Sequence, residues 1–189
     1  MWTTSRRSTR TSTSPTRCSS TPSPSTVLGI DPGTTGMGYA VLSLDVDPPR
    51  LLRCGLVSTA RDGSAAERLL GIADALDALI AEHAPDALAL ERLYFNKNVR
   101  TAMSVAEARG IALLCGARAG LVVAEFTPQE VKLGVTGTGA ADKKTVQKML
   151  VHVLKLEARI ADDNIADAVA VAVTYANRAR FAARVALAR

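Results

Sequence analysis

The segment VLGIDPGTTG, residues 27–36, decides the fold of this chain. Its first half is short and apolar, and Pro32-Gly33 interrupts it, so we expect a buried strand over residues 27–31 followed by a turn. Asp31 follows the apolar run directly, which places its carboxylate at the end of a sheet. An Asp-Pro-Gly turn would also account for an aspartate here without any chemistry. The segment alone leaves both interpretations of Asp31 open.

Further segments along the chain predict four more strands and five helices. We expect strands at 37–44, 51–59, 87–91 and 121–126, and helices at 65–82, 99–119, from Pro128 onward, at 142–154 and at 164–184. Thr127 and Glu130 form a capping box around Pro128, which fixes the start of the third helix, and 134–141 is expected to be a Gly-rich loop. The short connections make the first three strands an antiparallel meander. The sequence therefore predicts an α/β fold, a mixed five-stranded sheet flanked by helices, in the element order of the ribonuclease H-like fold.

The composition is that of a single globular domain without a membrane span. Of the 189 residues, 48% are hydrophobic and 22% charged, and no apolar run approaches the roughly 18 residues that a span needs. The net charge is +5, but four of the 23 basic residues lie in residues 1–26, which leaves 19 basic against 18 acidic residues in the rest. Nucleic-acid binding by this nearly neutral part would need a local basic patch.

Residues 1–26 differ in composition from the rest of the chain. They are almost entirely Ser, Thr, Arg and Pro, so we expect a disordered tail before a folded domain at 27–189. An organellar transit peptide, or a translation start assigned too far upstream in a bacterial protein, would each explain it. We favour the bacterial, cytoplasmic interpretation. Cys18, Cys54 and Cys115 lack any CxxC spacing, which fits a reducing compartment and no zinc site.

Acidic residues mark the ends of two predicted strands and the start of the last helix. Asp31 and Glu91 each end an apolar strand, while Asp163, Asn164 and Asp167 open the helix, with Asn164 and Asp167 on one face. Hard oxygen ligands from separate elements suit Mg²⁺ or Mn²⁺, and two such ions about 3.5–4 Å apart can hydrolyse a phosphodiester. Taken singly, Glu91 could be an exposed strand end and Asp163 a helix N-cap.

Several motifs together resemble the RuvC family of Holliday-junction resolvases. They are 27–36, LERLYF at 90–95 and IADAVAVA at 165–172, with AEARG at 106–110 and QEVK at 129–132 between them, and the resemblance covers roughly residues 27–178. It implies a ribonuclease H-like nuclease that nicks two opposed strands of a four-way DNA junction symmetrically. No association with a membrane is expected. It also implies a homodimer, for which the 99–119 helix is our candidate interface, and the branch-migration partners RuvA and RuvB.

The resemblance carries over three of the family's four metal positions, to Asp31, Glu91 and Asp167. The fourth falls on Asn164, where the family usually has an acidic residue or histidine. Asn164 could be a naturally weak ligand, Asp163 could reach the metal instead, or the asparagine could be a deliberate change that removes activity. We therefore take all four positions as candidate catalytic residues, with Asp163 as a further candidate metal ligand and Mg²⁺ or Mn²⁺, two ions per site, as the cofactor.

The resemblance also implies DNA contacts. Tyr94 and Phe95 match aromatic positions that stack on junction bases, and Lys132 and Lys143 match basic positions near the scissile phosphate. We expect the remaining members of the local patch to be Lys97, Arg100 and Lys144.

Two other functions fit parts of the pattern. Sugar-kinase and chaperone-type ATPases share the Asp-x-Gly-Thr turn after a strand, although they need two such domains around the nucleotide. A catalytically weakened junction-binding protein is the other alternative, motivated by Asn164.

Overall fold

The structure is a computed structural model that describes residues 24–60, 62–92 and 99–188, with the backbone alone at 99–101. The predicted tail, except for residues 24–26, lies outside the described residues. So do the predicted DNA contacts Tyr94, Phe95 and Lys97 and the side chain of Arg100.

A mixed five-stranded sheet forms the centre of the fold, as predicted. The strand order is β3-β2-β1-β4-β5; β2 is antiparallel to its neighbours β1 and β3, whereas β4 is parallel to both β1 and β5. The strands are β1 Thr26–Asp31, β2 Gly36–Ser43, β3 Arg50–Ser58, β4 Ala87–Glu91 and β5 Val122–Phe126. Because β1 is the central strand, between β2 and β4, its C-terminal end lies near the middle of one end of the sheet.

Helices cover both faces of the sheet. They are α1 Ala65–His83, α2 Val99–Arg118, α3 Pro128–Thr136, α4 Lys143–Leu154 and α5 Asp163–Leu187. Alternate β1 residues point to opposite faces: Val27 packs with α3, α4 and α5, while Leu28 and Ile30 pack with α1 and α2. None of the helices in the described part of the chain is long and apolar enough to cross a membrane.

The start of α5 lies directly against β2. A Cβ atom on Gly38 would overlap the backbone carbonyl of Asn164, so only glycine permits this approach. Gly38 is paired with Asp31 across the β1–β2 ladder. The contact therefore brings the first turns of α5 to the end of the strand that carries Asp31.

The third helix is longer than the sequence predicts. Residues 134–136, assigned above to a flexible loop, belong to α3. Gly134 is tolerated inside this helix because a Cβ there would lie 2.6 Å from the Thr174 methyl group of α5. Close packing between α3 and α5 overrides the weak helix propensity of glycine.

The N-cap of α5 was also predicted one residue too late. Asp162, not Asp163, caps the helix, because its carboxylate accepts hydrogen bonds from the backbone N–H groups of Asn164 and Ile165 at 2.9 and 3.1 Å. Asp163 is instead the first helical residue, and its exposed side chain is free to make contacts outside α5. The Thr127–Glu130 capping box of α3 is present as predicted.

Candidate active site

Three carboxylates from separate elements meet at one edge of the sheet. Asp31 ends β1 and Glu91 ends β4, and these strands are parallel neighbours with Ile30 opposite Leu90. Asp167 lies one turn into α5, beside them. All three side chains are half-buried. The sheet and α5 thus bring together the three acidic residues that the sequence singled out from separate segments.

The three carboxylates oppose one another's ionisation. Burial, then the negative charges of Asp167 and Glu91, raise the pKa of Asp31 from 3.8 to about 7, while Lys143 acts in the opposite direction. Burial and Asp167 likewise raise the pKa of Glu91. Charged carboxylates held this closely need a compensating cation. This electrostatic situation is typical of functional clefts rather than of structural ion pairs.

Lys143 at the start of α4 supplies part of that compensation. Its Nζ lies 3.1 Å from Asp167 Oδ2 and 3.2 Å from Asp163 Oδ2. Burial alone would lower the pKa of Lys143, but the bonds and charges of Asp167 and Asp163 outweigh it and the pKa is raised. About half of the lysine side chain is exposed, so this is a weak surface ion pair that a stronger cation or a phosphate can displace.

Asp163 is directed toward α4. Besides Lys143, it accepts a hydrogen bond from Nε2 of the buried Gln147 at 3.1 Å. Asn164 takes the other direction, because its Nδ2 donates to the carbonyl oxygen of Gly36 at 3.4 Å. Asn164 therefore lines the same cleft as Asp31, whereas Asp163 is held by the residues of α4.

Two clefts adjoin the carboxylates. Glu91, Asp167, Lys132 and Lys143 line the first, with an apolar floor from Pro128, Val131, Val146 and Ala170. The second is lined by Asp31, Asn164, Arg68, Ser104, Val105 and the turn at 32–36. Of the predicted basic residues, the structure thus places Lys132 and Lys143 beside the carboxylates. Lys144 is exposed on α4 and does not line either cleft.

Arg68 was missed in the sequence, although a signal for it exists. It precedes Ile72, Leu76 and Leu79 at helical spacing, so it occupies a position on the buried stripe of α1. A charged residue on an apolar stripe is unfavourable unless a group outside the helix pairs with its charge or forms hydrogen bonds with it.

The donor set fits a hard divalent cation. Within the described ranges, no three His, Cys, Asp or Glu side chains already converge at ligating distance. Asp31, Glu91 and Asp167 nevertheless lie close enough to raise the pKa of two of their number, and all offer carboxylate oxygens. Release of Asp167 by Lys143 would free its carboxylate oxygens for such an ion.

A mixed sheet of this order, with carboxylates at the ends of its central parallel strands and on the last helix, defines a nuclease-type ribonuclease H-like domain. Comparisons with known proteins agree. Residues 27–175 match the family model described as crossover junction endodeoxyribonuclease RuvC. The RuvC of Roseiflexus sp. is 46% identical over 151 residues, which are 79% of this chain and 90% of that protein. The RuvC of Heliobacterium modesticaldum is 44% identical over 80% of this chain and 93% of its own.

A solved structure of T. thermophilus RuvC in complex with a Holliday junction substrate superposes with a TM-score of 0.79 at 32% identity, covering 83% of this chain and 96% of that one. The chain belongs to the RuvC family of crossover junction endodeoxyribonucleases. The predicted fold, family and junction-resolving endonuclease function are confirmed, and neither the ATPase nor the weakened binding protein is favoured.

Proposed function

We propose that this chain resolves four-way DNA junctions by paired symmetric nicks, using Mg²⁺ or Mn²⁺, with two ions per site. One observation carries the proposal: Asp31, Glu91 and Asp167 converge from β1, β4 and α5, and burial together with the charges of Asp167 and Glu91 raises the pKa of Asp31 to about 7. A cluster of this kind has little structural use, because carboxylates that repel one another destabilise the metal-free fold.

Asp31, Glu91 and Asp167 would hold the metal ions, which supply an activated water and neutralise the leaving oxygen. In this proposal Lys132 and Lys143 bind the phosphates that flank the scissile bond. Lys143 exchanges its contact with Asp167 for a phosphate when DNA enters the first cleft. The family resemblance assigns base stacking to Tyr94 and Phe95. As members of the expected local basic patch, Lys97, Arg100 and Lys144 would add further phosphate contacts.

We further propose that Asn164 is a neutral fourth ligand. Its amide nitrogen donates to Gly36 O, which leaves the oxygen Oδ1 for a cation in the cleft that Asp31 also lines. A neutral oxygen binds a divalent ion less strongly than a carboxylate. As the fourth metal ligand, Asn164 is favoured over Asp163, because the Asp163 carboxylate already has Lys143 and Gln147 as partners.

Replacing Asn164 by Asp should increase the nicking rate at sub-saturating Mg²⁺ by about tenfold, because it adds a charged ligand. The measurement is single-turnover nicking against Mg²⁺ concentration. Asp163→Asn is the matched control, and we expect it to leave the Mg²⁺ dependence unchanged. If Asp163→Asn removes activity and Asn164→Asp has no effect, then Asp163 is the ligand.

The symmetric reaction requires a twofold dimer, and we propose α2 as its interface. Met103 and Leu114 are 63% and 57% exposed, and their spacing of eleven residues puts them on one side of α2. Ala106 and Gly110 lie exposed between them and would permit close approach of a second helix. On family grounds alone we propose a cytoplasmic bacterial nuclease that works with RuvA and RuvB. Its folded part begins at Thr26, the first residue of β1, which is one residue before the predicted boundary.

Nicking of a synthetic junction tests the proposed function. Each of the four strands is labelled in turn, and a linear duplex of the same sequence serves as the control substrate. We expect nicks at symmetric positions in two opposed strands with Mg²⁺ or Mn²⁺, none with EDTA, and an intact duplex. Tight junction binding without nicks in either metal would show a weakened binding protein instead. Equal cutting of the duplex would contradict junction specificity.

A further inference from the structure

Arg68 lines the second cleft with Asp31, whereas Lys132 and Lys143 line the first cleft with Glu91 and Asp167. Arg68 belongs to α1, which packs on the opposite face of the sheet from α3 and α4. The cleft is formed where the first turn of α1, the turn at 32–36 and the start of α5 meet. Two tertiary hydrogen bonds fix that turn: Thr59 Oγ1 donates to Thr34 O at 2.5 Å, and Asn164 Nδ2 donates to Gly36 O at 3.4 Å. The cleft wall is therefore held by Thr59, just after β3, and by α5, and does not depend on the turn alone.

The guanidinium of Arg68 is only partly satisfied by the protein. Nη1 donates to the carbonyl oxygen of Gly63, but Nε is buried without a hydrogen-bond partner. In the described part of the chain, no carboxylate forms an ion pair with Arg68. A half-buried arginine with so few partners is unfavourable in a solely structural role, where a pairing carboxylate or an apolar residue would serve better.

The two clefts together define a path across the carboxylates. Glu91 and Asp167 line the first cleft and Asp31 lines the second, so a strand whose phosphate reaches all three must extend into both. Lys132 and Lys143 provide cations in the first cleft. Arg68 is the one basic residue among the described residues that line the second. A polyanion lying over this edge of the sheet would meet a positive charge on each side of the cluster.

We propose that Arg68 binds a backbone phosphate of the cleaved strand, on the side of the scissile phosphate opposite to Lys132 and Lys143. The inference rests on the proposed function, since it takes the carboxylates as the place of cleavage. An arginine suits the role because its planar fork can donate two parallel hydrogen bonds to phosphate oxygens. Nη1 would keep its bond to Gly63, which orients the fork from behind.

DNA binding in EDTA tests this assignment without any nicking. We expect Arg68→Met to bind a four-way junction about tenfold more weakly than the unaltered protein near 0.1 M salt. The slope of log Kd against log salt concentration should also fall by about one, as for the loss of one phosphate contact. Arg180→Met is the matched control, because Arg180 pairs with Asp47 at the opposite end of the sheet. Its slope should equal that of the unaltered protein.

A second variant separates the phosphate contact from the contact with Gly63. Arg68→Gln keeps a donor for the Gly63 carbonyl but has no charge, and we expect it to lose the same unit of salt slope as Arg68→Met. A partly unfolded variant would bind weakly with an unchanged slope, because the folded fraction scales every Kd alike. Slopes equal to that of Arg180→Met in both Arg68 variants would overturn the assignment.

The two proposals can fail separately. If the unaltered protein binds junctions but does not nick them, while the Arg68 variants lose a unit of slope, the proposed nuclease function fails and the phosphate contact stands. If the protein nicks junctions as expected and the Arg68 variants bind with unchanged slope and affinity, only the assignment of Arg68 fails.

Discussion

Replacing Asp31 by Asn should reduce junction nicking on the order of 10³-fold or more. The substitution keeps the shape of the side chain at the end of β1. It removes the charge from one of the three carboxylates that would bind the metal. Asp31 is half-buried between Glu91 and Asp167, and it lines the cleft that Asn164 also enters. A neutral amide at this position would hold a divalent ion weakly and would polarise its bound water less.

The measurement for Asp31→Asn is the single-turnover nicking rate at saturating Mn²⁺. Asp74→Asn is the matched control, because Asp74 is exposed on α1 and lines neither cleft. We expect the control to nick at the rate of the unaltered protein. Equal rates for Asp31→Asn and Asp74→Asn would remove Asp31 from the active site.

The same variant should gain stability in the absence of metal. The pKa of Asp31 is raised from 3.8 to about 7 in the folded protein, so between these values the folded state binds more protons than the unfolded chain. The contribution of Asp31 to stability is therefore lost as the pH rises through this window. In EDTA at pH 8, Asp31→Asn should melt several degrees above the unaltered protein, and the difference should shrink toward pH 4.

Replacing Gly38 by Ala should impair both folding and nicking. The new Cβ would overlap the carbonyl of Asn164, so the start of α5 must shift away from β2 and take Asp167 with it. Such overpacking costs about 1–3 kcal/mol of unfolding free energy. Because a 1 Å displacement of catalytic groups can cost about 10²-fold in rate, nicking should fall further than the folded fraction does.

Thermal unfolding and the nicking rate per folded molecule measure these two effects of Gly38→Ala. Gly71→Ala is the control, since Gly71 lies exposed in α1 and its nearest neighbour to an added Cβ, the Thr59 methyl, is 3.8 Å away. The control should be stabilised by up to about 1 kcal/mol, because alanine favours helices over glycine. A Gly38→Ala protein as stable and active as Gly71→Ala would show that β2 does not position α5.

Local patterns were sufficient for the sheet and for the three carboxylates. Asp31 and Glu91 end apolar runs, and parallel strands bring such ends to one edge, so their proximity follows from the order of elements. Three features depended on tertiary contacts that periodicity does not encode. The first turns of α5 lie beside Asp31 because Gly38 admits the Asn164 carbonyl against β2. α3 continues through Gly134 because Thr174 packs there.

Arg68 is the third such feature. Its place on the apolar stripe of α1 was visible in the sequence, but its relation to Asp31 depends on how α1 packs beside the 32–36 turn. The sequence shows a charged residue at Arg68 where an apolar residue is expected. It does not show which other element lies next to that charge.

A crystal grown with Mn²⁺ is the most direct test of the three-carboxylate metal site, because anomalous scattering locates the ion without reference to activity. We predict Mn²⁺ bonded to carboxylate oxygens of Asp31, Glu91 and Asp167, with Lys143 no longer in contact with Asp167. Mn²⁺ bound only at Asp163 or at other surface carboxylates, with the Asp31 carboxylate uncoordinated and the Lys143–Asp167 pair intact, would contradict the site.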